Sequence, residues 1–360
     1  MRSTSYIYST DTLILNAMKR MIRSSIIFIA LSFVLLLTCC QPGNKQHNKE
    51  APVRGDYFGQ MLPGDTARLF GAGVISTGMN ERDFAITPDG NEIFFSREAG
   101  NYRYATIFHT RRTDGTWSVP EVFEYCTNPD YMYIEPALSP DGKKLFFVSN
   151  MPADSASEGN EDIWVCTRTE GKWSGPVNLG QPVNTTSKEF FPSVTHDGTI
   201  YYTHLDTVAG DEFIYRSRPV NGVYRQPDKL GANVNIGRAR YNAFIAADES
   251  YIIIPAYGMP DSFGATDYYI SFRDSLDNWS QPINMGPQIN TAYSREWSAS
   301  ISPDGMYIFF MSDRPGGAIT GQLSAASLQD FHNTPQNGNT DIYWISSSVI
   351  DELREKAAEQ

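Results

Sequence analysis

A short pattern recurs five times along the chain and restricts what the chain can fold into. Each copy has an apolar run, a tight turn centred on an acidic residue, and a second run rich in aromatic and β-branched residues. The turn aspartates are spaced 52, 56, 51 and 56 residues apart, at Asp89, Asp141, Asp197, Asp248 and Asp304. A period of this length is typical of repeat architectures in which each unit packs against its neighbours. It matches one four-stranded β-propeller blade.

The residue types within each copy predict strands and hairpins. In three of the copies, proline and glycine on either side of the turn aspartate favour a tight connection between strands a and b. A third alternating run follows, for example 105–111 and 162–168, and in four copies it leads into a second hairpin. The sequence therefore predicts an all-β fold, a propeller of five blades with four antiparallel strands each. A six-bladed ring is the alternative.

The fifth copy ends differently from the other four. After strand c it continues into residues 346–360, which predict a short C-terminal helix or tail instead of an outer hairpin. Residues 68–76 lie just before the first copy, where a fourth strand precedes every other unit. We expect this N-terminal strand to complete the fifth blade and close the ring, since closure removes two open sheet edges.

The N-terminus has the layout of an export signal. Lys19, Arg20 and Arg23 precede an apolar stretch at 26–37, which is too short to span a membrane as a helix. Either Cys39 or Cys40 at its end can serve as the acylated cysteine of a lipobox. We therefore expect residues 1–40 to be a lipoprotein signal, translated from Met18 or Met21. Cleavage to a soluble secreted protein is the alternative.

Residues 41–56 are polar and predict a tether that leads into the propeller at 57–350. Without residues 1–38 the chain has 25 basic and 40 acidic residues, a net charge of −15. Such a surface repels nucleic acid and anionic lipid headgroups. We therefore expect no nucleic-acid partner, and the lipid anchor as the one membrane contact.

Cys126 and Cys166, the two cysteines of the propeller, favour free thiols over a disulfide framework. We expect a monomer.

The repeats also resemble a known family. Their Ser/Thr-Pro-Asp-Gly turns, the Asp-Ile-Trp/Tyr runs at 162–164 and 341–343, and the segment 171–180 are similar to the TolB-type, WD40-like propeller repeats of bacterial envelope proteins. The resemblance covers about residues 57–350 and implies the fold and a cell-envelope location, with the outer membrane expected. The family's best-known member is a periplasmic partner of outer-membrane lipoproteins. Its additional domain has no counterpart here, so its partner is not carried over.

The topology predicts where a binding site would lie. The a–b and c–d turns are short and share one face, while the long and varied b–c and d–a loops share the other. Charged and aromatic residues stand just before each inner strand on the long-loop face. We expect them to converge on a funnel at the propeller axis. There they either bind a polar ligand or pair with one another. These candidates are Glu81, Arg82, Asp83, Tyr133, Glu135, Glu189, Arg240, Tyr241, Asn242, Arg295, Glu296 and Trp297.

Two classes of function fit this organisation. The favoured class is a non-catalytic envelope module that binds a protein or a glycan. The alternative is a carbohydrate-active hydrolase or lyase, which needs two carboxylates about 5–10 Å apart, and Glu81, Asp83, Glu135, Glu189 and Glu296 are the candidates. The histidines of the propeller have no zinc-ligand spacing, and no nucleotide-binding or nucleophile motif occurs. We therefore expect no metal and no cofactor.

The lipobox interpretation is tested by metabolic labelling with a fatty acid. The wild-type chain should incorporate the label, because acylation of Cys39 or Cys40 creates the membrane anchor. Replacing both cysteines by Ser should abolish labelling, while one of the two single replacements should retain it. Label on the double variant would contradict lipidation at this position.

Overall fold

The computed structural model describes residues 53–155, 158–292 and 296–359. Within them, the chain forms five small antiparallel sheets arranged as the five blades of a β-propeller. The lipidation candidates Cys39 and Cys40, and the funnel candidate Arg295, lie outside the described residues. No helix in the described part of the chain is both long and apolar enough to cross a bilayer.

The strands follow the repeat order that the sequence predicts. Strand β1 (Arg68–Leu69) precedes the first blade. Blade 1 consists of β2 (Asn80–Ile86), β3 (Glu92–Ala99), β4 (Tyr104–Thr113), β5 (Thr116–Trp117) and β6 (Glu121–Val122). Blade 2 consists of β7 (Tyr133–Leu138), β8 (Lys144–Ser149), β9 (Asp162–Thr169), β10 (Lys172–Trp173) and β11 (Val177–Asn178). In both blades the outermost strand is split into two short pieces that pair with the same neighbour.

The remaining blades vary this plan. Blade 3 consists of β12 (Glu189–Val194), β13 (Ile200–Asp206), β14 (Asp211–Ser217) and β17 (Asp228–Lys229), with a side hairpin of β15 (Pro219–Val220) and β16 (Val223–Tyr224). Blade 4 consists of β18 (Ala239–Arg240), β19 (Phe244–Ile245), β20 (Tyr251–Tyr257), β21 (Thr266–Phe272) and β22 (Ile283–Asn284). Blade 5 combines β23 (Ala299–Ile301), β24 (Tyr307–Ser312) and β25 (Asp341–Ser346). Helix α1 (Ala325–His332) lies in the loop before β25, and α2 (Ser348–Ala358) follows it.

The repeated aspartate holds the a–b turn in each blade. In blade 2, Asp141 accepts a hydrogen bond from the Ser139 hydroxyl at 2.6 Å and from the Lys143 backbone N–H at 3.0 Å. Gly142 has a φ of +68°, which an L side chain rarely adopts. The Ser/Thr-x-Asp-Gly signature therefore stabilises the turn in four blades, whereas blade 4 forms it with Ala246 and with Glu249 at a φ of +60°.

Apolar clusters between neighbouring blades form the core. The described residues form five clusters of buried side chains, one at each of the five blade interfaces. Cys126 and Cys166 are unbridged and fully buried in the cluster between blades 1 and 2. Each blade is thus held by its two neighbours, and the ring depends on the last interface as much as on the others.

The N-terminal strand closes that last interface, as the sequence predicts. Strand β1 pairs antiparallel with β25, with Arg68 opposite Trp344 and Leu69 opposite Tyr343. The next residue, Phe70, donates its backbone N–H to the Ile342 carbonyl at 2.8 Å, and its ring is completely buried. Five blades with N-terminal closure are therefore confirmed.

The contribution of this closure is tested by Phe70→Ala. The Phe70 ring lies 5.0–5.2 Å from the rings of Phe84, Phe309 and Trp344, so its removal leaves a cavity that joins blades 1 and 5. We expect the free energy of unfolding in denaturant to fall by about 3–5 kcal/mol. The control is Leu62→Ala, at an exposed position in the same N-terminal segment, which should change it by less than about 0.5 kcal/mol. Equal effects of the two substitutions would show that the ring closes without Phe70.

Candidate functional site

Four of the five inner strands are interrupted at the same repeat position. Asp83, Glu135, Phe191 and Asn242 all have positive φ, between 51° and 60°. The strand register shifts at the first three positions, and at the fourth the strand divides into β18 and β19. A bulge of this kind re-aims a side chain and bends the strand. The corresponding residue of blade 5 is Ser298, directly before β23.

The residues at these interruptions meet at the axis in a closed hydrogen-bonded ring. Arg82 donates from Nε to Asp83 Oδ1 at 3.0 Å and from Nη2 to Glu135 Oε1 at 2.7 Å. Asn242 Nδ2 lies 3.4 Å from both Glu135 Oε1 and Ser298 Oγ, and the Ser298 hydroxyl donates to Asp83. Blade 3 joins through its backbone, because the N–H of Phe191 donates to Glu135 Oε2 at 2.7 Å. All five blades therefore contribute to one buried polar network.

The electrostatics of this ring are set by burial and by Arg82. The guanidinium contacts Asp83 and Glu135 and lies 3.6 Å from Glu98 Oε1 at the end of β3. Burial raises the pKa of Glu98 to about 7 and raises the pKa of Glu135 well above its usual range, although Arg82 opposes both shifts. One guanidinium thus serves three buried carboxyl groups, and burial favours the neutral forms of Glu98 and Glu135.

Another set of predicted site residues lies two positions before the interruptions, and these residues hold the entry loops. Glu81 accepts from the Thr77 hydroxyl at 2.6 Å and from Arg97 Nε at 2.8 Å. Glu189 accepts a hydrogen bond from the Thr185 hydroxyl, and Glu296 accepts one from the Ser312 hydroxyl. Arg240 donates hydrogen bonds to Asp211 and to the Ile236 carbonyl. Tyr133 is buried in the apolar cluster between blades 1 and 2. These five side chains are not part of the axial ring.

Tyr241 and Trp297 lie at the position between these two sets. Both are half-buried, and their rings form an edge-to-face pair with centroids 6.1 Å apart. The Tyr241 hydroxyl is 2.9 Å from Thr266 Oγ1. An amphipathic aromatic pair beside a polar ring is an arrangement that can contact the apolar face of a sugar or a peptide side chain.

Sequence reasoning missed three residues of this region. Ser298 could have been found by aligning the repeats, since it precedes Ala299 as Asp83 precedes Phe84. Glu98 and Tyr102 carry no repeat signal, because they come from the end of β3 and the loop after it. They reach Arg82 only through the fold.

Two cavities lie on the axis on the other side of the ring. A small one of about 100 Å³ is lined by the inner strands of all five blades. A wider one of about 510 Å³ opens at the short-turn face between Pro88, Pro140, His196 and Pro303. The two cavities share Ile86, Leu138, Val194, Phe244 and Ile301 among their lining residues, and the smaller one is also lined by Asp83 and Glu135 of the polar ring. Among the described residues, no group of three or more His, Cys, Asp or Glu side chains could hold a metal ion.

The fold and its axis define the class of protein: a five-bladed β-propeller whose inner strands converge on a buried polar ring. Similar solved structures include TolB from Acinetobacter baumannii, with a TM-score of 0.42 and 17% identity over 74% of this chain and 57% of that one. A protein described as TolB from Agrobacterium tumefaciens has a TM-score of 0.41 and 14% identity, over 74% of this chain and 90% of that one. The exo-β-1,3-galactanase 1,3Gal43A from Clostridium thermocellum has a TM-score of 0.43 and 13% identity, over 82% of this chain and 61% of that one.

These similarities concern the fold, which both TolB proteins and glycoside hydrolases share. No protein-family model matches the chain, and no characterised protein matches it in sequence.

The buried carboxyl groups predict an unusual pH dependence of stability. Because the pKa of Glu98 is raised in the fold to about 7, the folded chain binds more protons than the unfolded chain between about pH 4.5 and 7. The free energy of unfolding should therefore fall as pH rises from 5 to 7, and Glu135 should extend the fall to higher pH. One such proton changes this free energy by at most about 1.4 kcal/mol per pH unit.

Denaturant unfolding at a series of pH values checks this prediction. Glu98→Gln should make the decline between pH 5 and 7 shallower, since the variant cannot take up that proton. Asp141→Asn is the control, because hydrogen bonds lower the pKa of Asp141 and its contribution is lost only at acidic pH. Identical slopes in the wild type and Glu98→Gln would contradict the assignment.

Proposed function

We propose that the protein is a non-catalytic binding module of the cell envelope, which holds a protein or glycan partner on the long-loop face of its propeller. The main support is the state of the carboxyl groups around the funnel. Each of the five candidates is at most 3% exposed and accepts a hydrogen bond from a protein donor: Glu81, Asp83, Glu135, Glu189 and Glu296. A hydrolase needs at least two carboxyl groups that can reach the substrate.

The best-placed pair illustrates why binding is favoured over hydrolysis. Both oxygens of Glu135 are engaged, Oε1 by Arg82 and Oε2 by the Phe191 N–H. Asp83 receives Arg82, the Ser298 hydroxyl and the Glu135 N–H. Proton transfer from either group would first require the axial ring to open. The network therefore supports a structural role for this pair.

The long-loop face offers the surface that a partner would need. Large apolar side chains that are at least 46% exposed lie in or directly beside four of its five b–c connections, namely Tyr102, Tyr104, Val208, Tyr257, Phe263, Leu323 and Leu328. Exposed aromatic and aliphatic groups in loops around a rigid ring are typical of interaction sites. The half-buried Tyr241–Trp297 pair adds a surface on which a sugar ring could stack.

The location in the envelope follows from the export signal and the cysteine pair in the sequence. A lipid anchor followed by a polar tether would hold the propeller beside a membrane, with the outer membrane proposed, while its acidic surface keeps it away from anionic headgroups. In this arrangement the chain acts as a monomeric receptor whose partner belongs to the envelope.

Site-specific photocrosslinking of the full chain in its own cells tests the proposal. A photoreactive phenylalanine analogue at Tyr257 or Phe263, on the long-loop face, should give a discrete crosslinked product. The same analogue at Leu276 or Met306, which are exposed in short turns on the opposite face, is the matched control and should give none.

The crosslinked product also identifies the class of partner. Sensitivity to protease would show a protein, and sensitivity to polysaccharide-degrading enzymes would show a glycan. Products that form only from Leu276 and Met306 would place the binding surface on the turn face and overturn the proposal.

A further inference from the structure

One carboxyl group of the long-loop face has an oxygen without a hydrogen-bond partner among the described residues. Glu98 is 3% exposed, and its Oε1 accepts no hydrogen bond. Arg82 Nη1 is 3.6 Å away, too far for a hydrogen bond. A buried carboxylate oxygen that accepts no hydrogen bond is costly even beside a guanidinium, so the site is suited to an additional donor.

The same deficit occurs elsewhere on this face. Within the described part of the chain, four buried carboxyl groups have an unpartnered oxygen: Glu98, Asp162, Glu296 and Asp341. All four stand where strands meet the long loops. Glu98 differs from the others because it also belongs to the axial cluster, where Asp83, Glu98 and Glu135 share the single guanidinium of Arg82. Carboxyl groups therefore outnumber cations at this point.

An exposed aromatic residue lies beside the cluster. Tyr102 is 52% exposed, and its hydroxyl group interacts with Arg82 and Glu98. Its loop contains three consecutive residues with positive φ, Gly100, Asn101 and Tyr102, at 66°, 54° and 65°. Two of these are not glycine, and such strained backbone is found where a local structure serves a function. A small movement of this loop would open Glu98 to a ligand and leave the ring of Tyr102 beside it.

We propose that the cluster beneath Tyr102 is a subsite for a positively charged group, a primary ammonium carried by the partner. The ammonium would donate to Glu98 Oε1, balance the excess of carboxyl groups, and contact the face of Tyr102. The strongly acidic chain would attract such a group to this face. The inference rests on the proposed function, since it assigns a chemistry to the partner of the long-loop face.

Calorimetric titration of the full chain with small probes tests the subsite directly. Nα-acetyl-lysine amide represents a protein source of the ammonium, and glucosamine represents a glycan source. Their neutral counterparts are Nα-acetyl-norleucine amide and N-acetylglucosamine. At pH 7.5 at least one amine should bind saturably and about tenfold or more tightly than its neutral counterpart, which is the effect of one charged hydrogen bond. The amine that binds identifies the source.

Substitutions assign the binding to this cluster. Glu98→Gln should weaken binding of the amine about tenfold or more, and Tyr102→Leu about two- to fivefold through loss of the aromatic face, whereas Tyr102→Phe should retain that contribution. Glu158→Gln removes an exposed charge from the same face and should leave the affinity unchanged. Equal binding by Glu98→Gln and wild type, or no discrimination between amine and neutral probe, would overturn the inference.

The outcomes separate this inference from the proposed function. If crosslinking from Tyr257 and Phe263 succeeds while neither amine binds, the face holds a partner and the ammonium subsite is wrong. If crosslinking also fails, the proposed function is wrong as well.

Discussion

The buried guanidinium of Arg82 is the interaction on which the propeller axis depends. Five inner strands converge where there is little room for large side chains, and each strand brings backbone groups that need partners. Arg82 links Asp83 to Glu135, and the chain of hydrogen bonds continues through Asn242 and Ser298 back to Asp83. Removing the guanidinium would leave two or three buried carboxyl groups uncompensated, which is much more costly than losing an exposed ion pair.

The hydrogen-bonded ring around Arg82 also affects the carboxyl groups of the long-loop face. Burial raises the pKa values of Glu98 and Glu135, and they stay high because the one guanidinium that opposes the shift is shared by three carboxyl groups. The interblade apolar clusters and the aromatic contacts of Phe70 supply the stability that allows such a costly arrangement. A rigid ring with an unbalanced polar centre is a suitable scaffold for recognition, since the binding groups need little reorganisation.

Several features of the fold follow from the residue pattern alone. The Asp141 turn, with its glycine at positive φ, is a local device whose residues are adjacent in sequence. Closure by residues near Arg68 follows from the missing outer strand of the fifth repeat. The residues of the candidate site could be predicted as a group but not one by one. Alternation along a strand indicates the face of the sheet on which each side chain lies, and a bulge changes that face.

The sequence by itself determined the five repeats, the turns between strands and the grouping of loops on two faces, because these depend on local periodicity and turn chemistry. The tertiary structure decided between five and six blades. Only the tertiary structure decided which charged residues reach the axis. Asp83, Glu135 and Asn242 reach it because positive φ at each bulge re-aims their side chains, whereas Glu81 and Glu189, two residues before such a bulge, hold loops. Glu98 meets Glu135 around Arg82 through contacts between blades, which no local pattern in the sequence records.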